Sequence, residues 1–289
     1  MRIYIPSRGR SDRRFLTVVN CPLAWLSPDL RRRTVYVVRD EEVAAYRRSL
    51  DALGHTDVEV WGCGSPANLS EKRELIATHA RERGEGKFMM VDDDVILYVR
   101  KGPDDWHLKG VIRGANMAED SDAYVSWREV EHLIGSMEAM LDEYCMVGVS
   151  TKEGNNRYGT GEFPMVRECT RSMRMYAFRT EDYLSIEAGR LPEMADFDTT
   201  LQFLRSGRKN ALICYWAQGH VTSQHHGGCS IYRTTDTHER VCHQLAELHP
   251  GFVRLVQKAN KGGQHGFGTR TEVTIRWVDA YKSSQGAAS

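Results

Sequence analysis

The 289-residue chain is 41% hydrophobic and carries 39 Lys and Arg against 39 Asp and Glu. That is enough apolar mass for a core, with no run of 18 uninterrupted apolar residues to span a membrane, and the zero net charge argues against generic coating of nucleic acid. Seven cysteines, an odd count without a Cys-x-x-Cys pair, point to reduced thiols and a cytoplasmic protein. The distribution of charge is less even than its sum. Arginines crowd positions 2 to 48, and Arg254, Lys258, Lys261, Arg270 and Arg276 outnumber acids near the C-terminus, so an anionic ligand at a local patch stays open.

The chain opens on Met1-Arg-Ile-Tyr-Ile-Pro6, a strand over Ile3–Ile5 without the architecture of a signal peptide. Further strands are predicted at Arg33–Val38, Asp57–Trp61 and Phe88–Val91. Between them Glu41–Leu53 reads as a helix, as does Ser70–Arg83, with Ser70 as N-cap and Gly84 closing it. Strands separated by helices predict an α/β fold with a mostly parallel central sheet and right-handed crossovers. Lys101–Tyr124 is polar and aperiodic and reads as a long functional loop. Ser126 opens a helix whose apolar positions Val130, Leu133, Ile134, Met137 and Leu141 repeat at helical spacing and belong to the core. Cys145–Val149 reads as a strand, opening onto the polar loop Ser150–Arg157. The segment Ser283–Ser289 reads as a frayed tail.

The most informative segment is Phe88-Met-Met-Val-Asp92-Asp93-Asp94. A buried strand runs straight into three acids, and in open α/β sheets the ligand crevice lies at the carboxyl ends of the strands. Carboxylates at Asp92 and Asp94 on an extended backbone repel each other unless a hard cation or sugar hydroxyls share them. This is the Asp-x-Asp arrangement of metal-dependent nucleotide-sugar transferases; the bland alternative is a solvated acidic turn. The turn Pro6-Ser7-Arg8-Gly9-Arg10 ends the first strand and opens on the same crevice, with arginine forks suited to phosphate. Asn68, Lys72 and Arg73 stand at a helix start that favours anions, or else form a solvated face. Asp196 and Asp198 open an amphipathic helix closed by Gly207; Asp196 is either an N-cap or a base for a hydroxyl acceptor. His220 and His225 are candidate further metal ligands. With His226 and Cys229 they alternatively form a structural zinc site, though their spacing matches no common zinc pattern. Trp106, Arg157 and Arg233, in polar loop-like stretches, are candidates for stacking on an acceptor base or gripping phosphates.

Together these segments resemble a GT-A glycosyltransferase over nearly the whole chain: Ile5-Pro-Ser-Arg-Gly-Arg10, the acidic triplet, and Ala195-Asp-Phe-Asp198. The last segment is similar to the Glu-Asp motif before a Leu-rich helix, with Ala195 in place of the usual Glu. A closer resemblance is to phage TET-associated glycosyltransferases. It rests on the Ile-Pro-Ser-x-Gly-Arg opening, the Lys72-Arg73 helix start, the triplet, Gly148-Val-Ser with Gly154-Asn155-Asn156, and Gly227-Gly-Cys-Ser-Ile-Tyr-Arg233 with His249-Pro250. The resemblance implies a single GT-A-type (Rossmann-like) domain over 1–282. Its residues 1–100 form the nucleotide-sugar-binding half and 101–282 the acceptor-binding half, and 283–289 form a flexible tail. It implies Mn²⁺ or Mg²⁺ held by Asp92, Asp94 and a late histidine, and a UDP-sugar donor such as UDP-glucose bound by Pro6, Ser7, Arg8, Arg10, Asn68, Lys72, Arg73 and Asp93. Asp196 and Asp198 are then the catalytic pair, Asp196 as the base and Asp198 either buttressing it or capping the helix. The implied acceptor is 5-hydroxymethylcytosine in DNA, held by Trp106, Asn155, Asn156, Arg157 and Arg233, in a phage protein acting inside a bacterial cell. No membrane and no protein partner is expected. The alternatives are a GT-A enzyme acting on a glycan or small molecule, a haloacid-dehalogenase-type phosphatase with Asp92 as nucleophile, and a non-catalytic DNA-binding protein. The phosphatase fold normally carries its motif on the first strand, whereas three strand-like segments precede it here.

Overall fold

A computed structural model describes residues 1–12, 23, 26–100, 108–111, 124–125, 127–152, 166–220, 234–259 and 268–286. The first strand, β1 (Arg2–Pro6), is followed by α1 (Pro28–Arg32), β2 (Thr34–Val38), α2 (Val43–Ala52) and β3 (Glu59–Gly62). Then come α3 (Leu69–Glu82) and β4 (Lys87–Val91). These four strands lie side by side in the order β3-β2-β1-β4, all parallel, which is the α/β pattern that the alternation of strands and helices predicts. Side chains leave a strand alternately to either face. Ile3, Ile5, Met89 and Val91 accordingly enter one core, with Val130, Leu133, Ile134 and Met137. Tyr4, Phe88 and Met90 enter a second core, with Ile76, Ala77 and Ala80. Strands buried on both faces read as continuous apolar runs, and β4 does.

Past β4 the sheet becomes mixed. The chain continues through β5 (Val95–Arg100), β6 (Leu108–Val111), β7 (Tyr124–Val125), α4 (Trp127–Met140) and β8 (Met146–Thr151). Next are β9 (Val166–Glu168), β10 (Met175–Arg179), α5 (Thr180–Leu184), α6 (Ala195–Arg205) and β11 (Asn210–His220). The order after β4 is β10-β8-β11-β5-β6-β7, with β9 also on β11. β10 enters antiparallel between β4 and β8, whereas β8 and β11 are parallel. The parallel expectation therefore describes the first four strands, and β5 to β7 lie within or beside a stretch expected to be loop.

A last module, α7 (Thr235–Leu248), β12 (Val253–Ala259), β13 (Thr269–Ile275) and α8 (Trp277–Gly286), builds a third core. In it Val241, Cys242, Leu245, Val253, Val273 and Ala280 pack on Leu201 and Leu204 of α6. Two boundaries differ from expectation. The N-cap of α3 is Asn68, whose side chain accepts from the Glu71 amide at 3.0 Å while Glu71 accepts from the Ala67 amide at 2.8 Å. Asn68 captures the cap because it has Glu three residues on, so Ser70 lies inside the helix. The tail expected from 283 is helical to Gly286, with Ser283 and Ser284 hydroxyls donating to the carbonyls of Ala280 and Tyr281. Among the described residues no helix is long and apolar enough to cross a membrane.

Candidate functional site

The β4 strand delivers its three acids to the carboxyl edge of the parallel strands, next to the loop after β1. Arg73 Nη2 donates to Asp92 Oδ1 at 3.0 Å. Asp93 accepts from Arg10 Nη1 and from the Ser7 hydroxyl, and Arg10 Nη1 also reaches Asp94 Oδ2 at 3.3 Å. Ser7 is itself fixed by the Tyr46 hydroxyl at 2.6 Å, which also accepts from the Arg10 amide at 3.1 Å. Charge compensation is incomplete. Burial lifts Asp92 above the ordinary carboxylate range despite Arg73, and lifts Asp93 to about 6 despite Arg10, with Asp94 adding repulsion in both cases. The triplet is a site of concentrated negative charge, not a solvated turn.

The loop and helix residues around it divide in two. Arg10, Arg73 and Ser7 meet the triplet directly, and Pro6 is the buried last residue of β1. Lys72 does not face the crevice, which corrects its reading as a donor ligand. Its Nζ is buried and donates to the carbonyls of Ser7 and Val37 at 2.6 and 3.2 Å, holding the first-strand loop against β2. Asn68 is occupied as a cap, and Arg8 Nη1 donates to the Ala67 carbonyl at 3.1 Å.

Beyond Arg73, α6 begins at Met194, whose φ of +56° is in the left-handed region. Such conformations persist only where surrounding structure fixes them and cluster at functional sites. Asp196 follows in the first turn. Its Oδ2 accepts from Arg171 Nε at 2.6 Å, and it shares a small pocket with Arg73, Ser172, Tyr176, Tyr183 and Thr199. Through Arg73 that pocket joins Asp196 to Asp92. Asp198 does not face the crevice, which corrects its place in the catalytic pair. It is 1% exposed, takes a two-pronged bond from Arg190 at 2.6 and 2.9 Å, and lies 2.7 Å from His249 Nε2. Burial raises its pKa, but the bonds from His249 and Arg190 outweigh burial and leave it below the usual range. With helical spacing, residues 196 and 198 leave different sides of α6.

The end of β11 comes back to the triplet: His220 lies opposite Val95 in the antiparallel pair with β5, one residue beyond Asp94. Its side chain is not among those described. His225, His226, Cys229, Trp106, Asn155, Asn156, Arg157 and Arg233 lie outside the described residues. No three His, Cys, Asp or Glu side chains converge among the described residues. The donor chemistry nonetheless suits a hard divalent ion, because Asp92 Oδ2 and Asp94 Oδ1 keep no hydrogen bond among the described residues.

Three residues of the site went unread in the sequence. Arg171 pairs Asp196. Arg174, at φ +62°, lends its carbonyl to the Asp92 amide at 2.7 Å and donates to Gln218 at 3.3 Å. Gln218 is fully buried on β11. The apolar run Met175-Tyr-Ala-Phe was the available signal, since it marks a strand whose entry must carry these arginines.

In three dimensions the chain is similar to the S. aureus TarS 1-349 structure in complex with UDP-GlcNAc, at a TM-score of 0.50 and 12% identity, over 86% of this chain and 66% of TarS 1-349. It thus spans slightly less than two thirds of that neighbour. A second likeness is to glucosyl-3-phosphoglycerate synthase from Mycobacterium tuberculosis in complex with Mg²⁺ and UDP, at a TM-score of 0.49 and 10% identity, over 94% of this chain and 86% of that one. No curated protein matches the sequence. The TarS likeness gives the chain a GT-A glycosyltransferase fold. The sequence model of the TET-Associated Glycosyltransferase family matches residues 1–228, from β1 through β11 and beyond, and the chain belongs to that family of enzymes.

Proposed function

We propose that the protein transfers a sugar from a UDP-sugar, UDP-glucose or a relative, to the hydroxyl of 5-hydroxymethylcytosine in DNA. The observation that carries this reading is the acidic triplet at the carboxyl end of β4, which Arg73 links through Asp92 to the pocket that holds Asp196. In the reaction a bond forms between the acceptor oxygen and the anomeric carbon as the bond from that carbon to the diphosphate breaks. Asp92 and Asp94, through the oxygens not engaged by arginine, would hold Mn²⁺ or Mg²⁺, with His220 or His225 as a further ligand. Bound there, the ion supplies positive charge to the departing diphosphate. Arg10 and Ser7 fix Asp93, so that the first-strand loop keeps its place beside the donor. Arg8, whose Nη1 is taken by the Ala67 carbonyl, would offer its other guanidinium donors to phosphate oxygens.

A primary alcohol is a poor nucleophile at neutral pH. Asp196 takes its proton on Oδ1, while Oδ2 stays with Arg171. A duplex base reaches such a crevice only when flipped out of the stack, and Trp106, Asn155, Asn156, Arg157 and Arg233 are the proposed grip on it. Action within an infected bacterial cell follows from that acceptor.

The test is to incubate hydroxymethylated DNA with the protein and a panel of sugar nucleotides, then digest and weigh the nucleosides. A hexose added to hydroxymethylcytosine, lost on adding EDTA, is the expected result. Donor turnover with unmodified nucleosides throughout would point to a glycan or small-molecule acceptor instead.

A further inference from the structure

The part of the chain after α7 is differently charged from the rest of the protein. Between Pro250 and Lys282 the sequence holds six Lys and Arg against two Asp and Glu, in a chain whose net charge is zero. Much of this excess is on the two-stranded ribbon β12–β13. By strand alternation Val253 and Leu255, with Ile275 and Val273 opposite them, enter or pack against the third core. The other face carries Arg254, Val256 and Lys258, with Thr274, Glu272 and Arg270 opposite. Arg254 and Lys258 are exposed, and neither is in an ion pair among the described residues. Arg270 is paired with Glu272 at 2.7 Å. On the same face Glu272 also meets His238 of α7 at 3.8 Å, so its solvent-facing cations are Arg254 and Lys258.

The ribbon is anchored beside the acceptor side of the crevice. Trp277, two residues beyond β13, stacks on Phe197 with ring centroids 6.0 Å apart, and the Arg171 guanidinium lies over the same Phe197 ring, 3.7 Å from its centroid. Phe197 adjoins Asp196, and Arg171 is the residue that holds Asp196. At the ribbon's other root, His249 is bonded to Asp198 and its carbonyl accepts from the Val253 amide at 3.2 Å. The residues flanking both strands at this end, His249 before β12 and Trp277 after β13, thus hold the ribbon to the first turn of α6. Seven residues of strand extend roughly 23 Å, about seven base-pair steps of duplex. Arg254 lies near the root and Lys258 about 13 Å further out.

We infer that the outer face of the β12–β13 ribbon carries the duplex flanking the modified base, with Arg254 and Lys258 on its phosphates. This rests on the DNA acceptor proposed above. A base flipped into the crevice leaves its neighbours outside, and duplex presents one phosphate charge per ~1.7 Å of axis. A line of unpaired cations leading away from the catalytic carboxylate fits that polyanion, and phosphate contacts fix register without reading sequence.

The experiment compares the wild type with the double variant Arg254→Ser, Lys258→Ser by fluorescence anisotropy on unmodified duplex over a series of salt concentrations, with melting temperature as the check on folding. Each phosphate contact contributes about 0.9 to the slope of log affinity against log salt. The variant is expected to melt as wild type, bind duplex roughly tenfold or more weakly, and show a slope smaller by about 1.8. Its KM should rise on hydroxymethylated duplex and stay put on a hydroxymethylated trinucleotide too short to reach the ribbon. If the wild type glycosylates duplex and the variant binds it with unchanged affinity and slope, the ribbon assignment is wrong and the DNA reading survives. If the wild type neither binds nor modifies duplex, both fall. Binding to anionic vesicles but not to duplex would make the face a membrane contact and overturn the inference.

Discussion

Two carboxylate–arginine clusters, one at the end of β4 and one in the first turn of α6, are built to different ends. In the knot around Asp198, every charge is answered: Arg190 from two nitrogens, His249 at 2.7 Å and Gln202 at 2.8 Å leave a carboxylate that is 1% exposed and holds its proton less readily than usual. Around Asp92, Asp93 and Asp94, three acids share Arg10 and Arg73, and burial wins over pairing, so Asp92 and Asp93 both titrate above their ordinary range. A cluster that satisfies itself is a fastener. One that stays short of positive charge has a use for more, from a cation or from the hydroxyls of a ligand.

Breaking each cluster should therefore give opposite phenotypes. In the open cluster, Asp94→Asn removes charge that the fold does not need. It should melt at or above the wild-type temperature and transfer sugar slower by roughly 10²–10³, the cost of losing one preorganised electrostatic contact. Asp196→Ala should likewise keep its melting temperature and donor affinity but lose roughly 10²–10⁴ in rate. Steady-state transfer and thermal melting on the same samples check both. An Asp196→Ala enzyme slowed less than tenfold would remove the carboxylate base and favour a retaining mechanism. The closed cluster comes next in size. Asp198→Ala strands Arg190 and His249 without their anion, and breaking a buried pair costs about 3–5 kcal/mol. Denaturant unfolding should show that loss, with rate per folded molecule little changed. A stable Asp198→Ala protein with a large rate defect would reverse the two roles.

The sequence shows why one cluster was easier to find than the other. β4 and its triplet are local: a buried strand and the acids at its end are seven consecutive residues, and periodicity alone places them. The same holds for the first four strands and α3. Local pattern carries no information on which arginine meets which acid. Asp93 finds Arg10 across 83 positions and Asp92 finds Arg73 across 19. Asp196 and Asp198 are two residues apart and chemically identical, so only their distant partners tell them apart: Arg171 for the first, Arg190 and His249 for the second. β10 is an apolar run with the usual signal, but its insertion between β4 and β8 is a non-local pairing that spacing does not encode. Lys72 misled for a different reason. A lysine at a helix start is usually solvated, and only the approach of β1 and β2 provides carbonyls deep enough to hold its amine.

Lys72 gives a smaller effect that connects fastening with function. Lys72→Met keeps the apolar stem and deletes the donor to Ser7 and Val37 carbonyls. Buried acceptors left unmade cost about 1–3 kcal/mol, so the variant should melt measurably lower. Because Ser7 also donates to Asp93, loosening its loop should weaken donor binding more than it slows turnover at saturating donor. Isothermal titration with UDP set against the melting curve checks this. A destabilised variant with unaltered donor affinity would confine Lys72 to the fold.

The smallest expected effect is in the C-terminal module, and its sign is fixed by one histidine. His238 on α7 faces Glu193 and Glu272, each at 3.8 Å, with Arg270 nearby as the opposing charge. Its pKa is raised above 6.5, chiefly by Glu193, with burial working the other way. A group whose folded pKa exceeds its unfolded one stabilises the fold when protonated. That contribution is complete below about 6.5 and disappears as pH climbs through the folded value. The melting temperature of the wild type should accordingly decline over that window more steeply than that of His238→Gln, with the two curves converging above it. Because Glu193 is one residue from Met194 and the start of α6, the same protonation should tighten the approach to Asp196. Hydrogen exchange of the Ala195–Thr199 amides, measured on either side of the window, should then show faster opening at the higher pH in wild type and no such change in His238→Gln. Parallel melting curves for the two proteins would show that this histidine is not what holds the module to the helix.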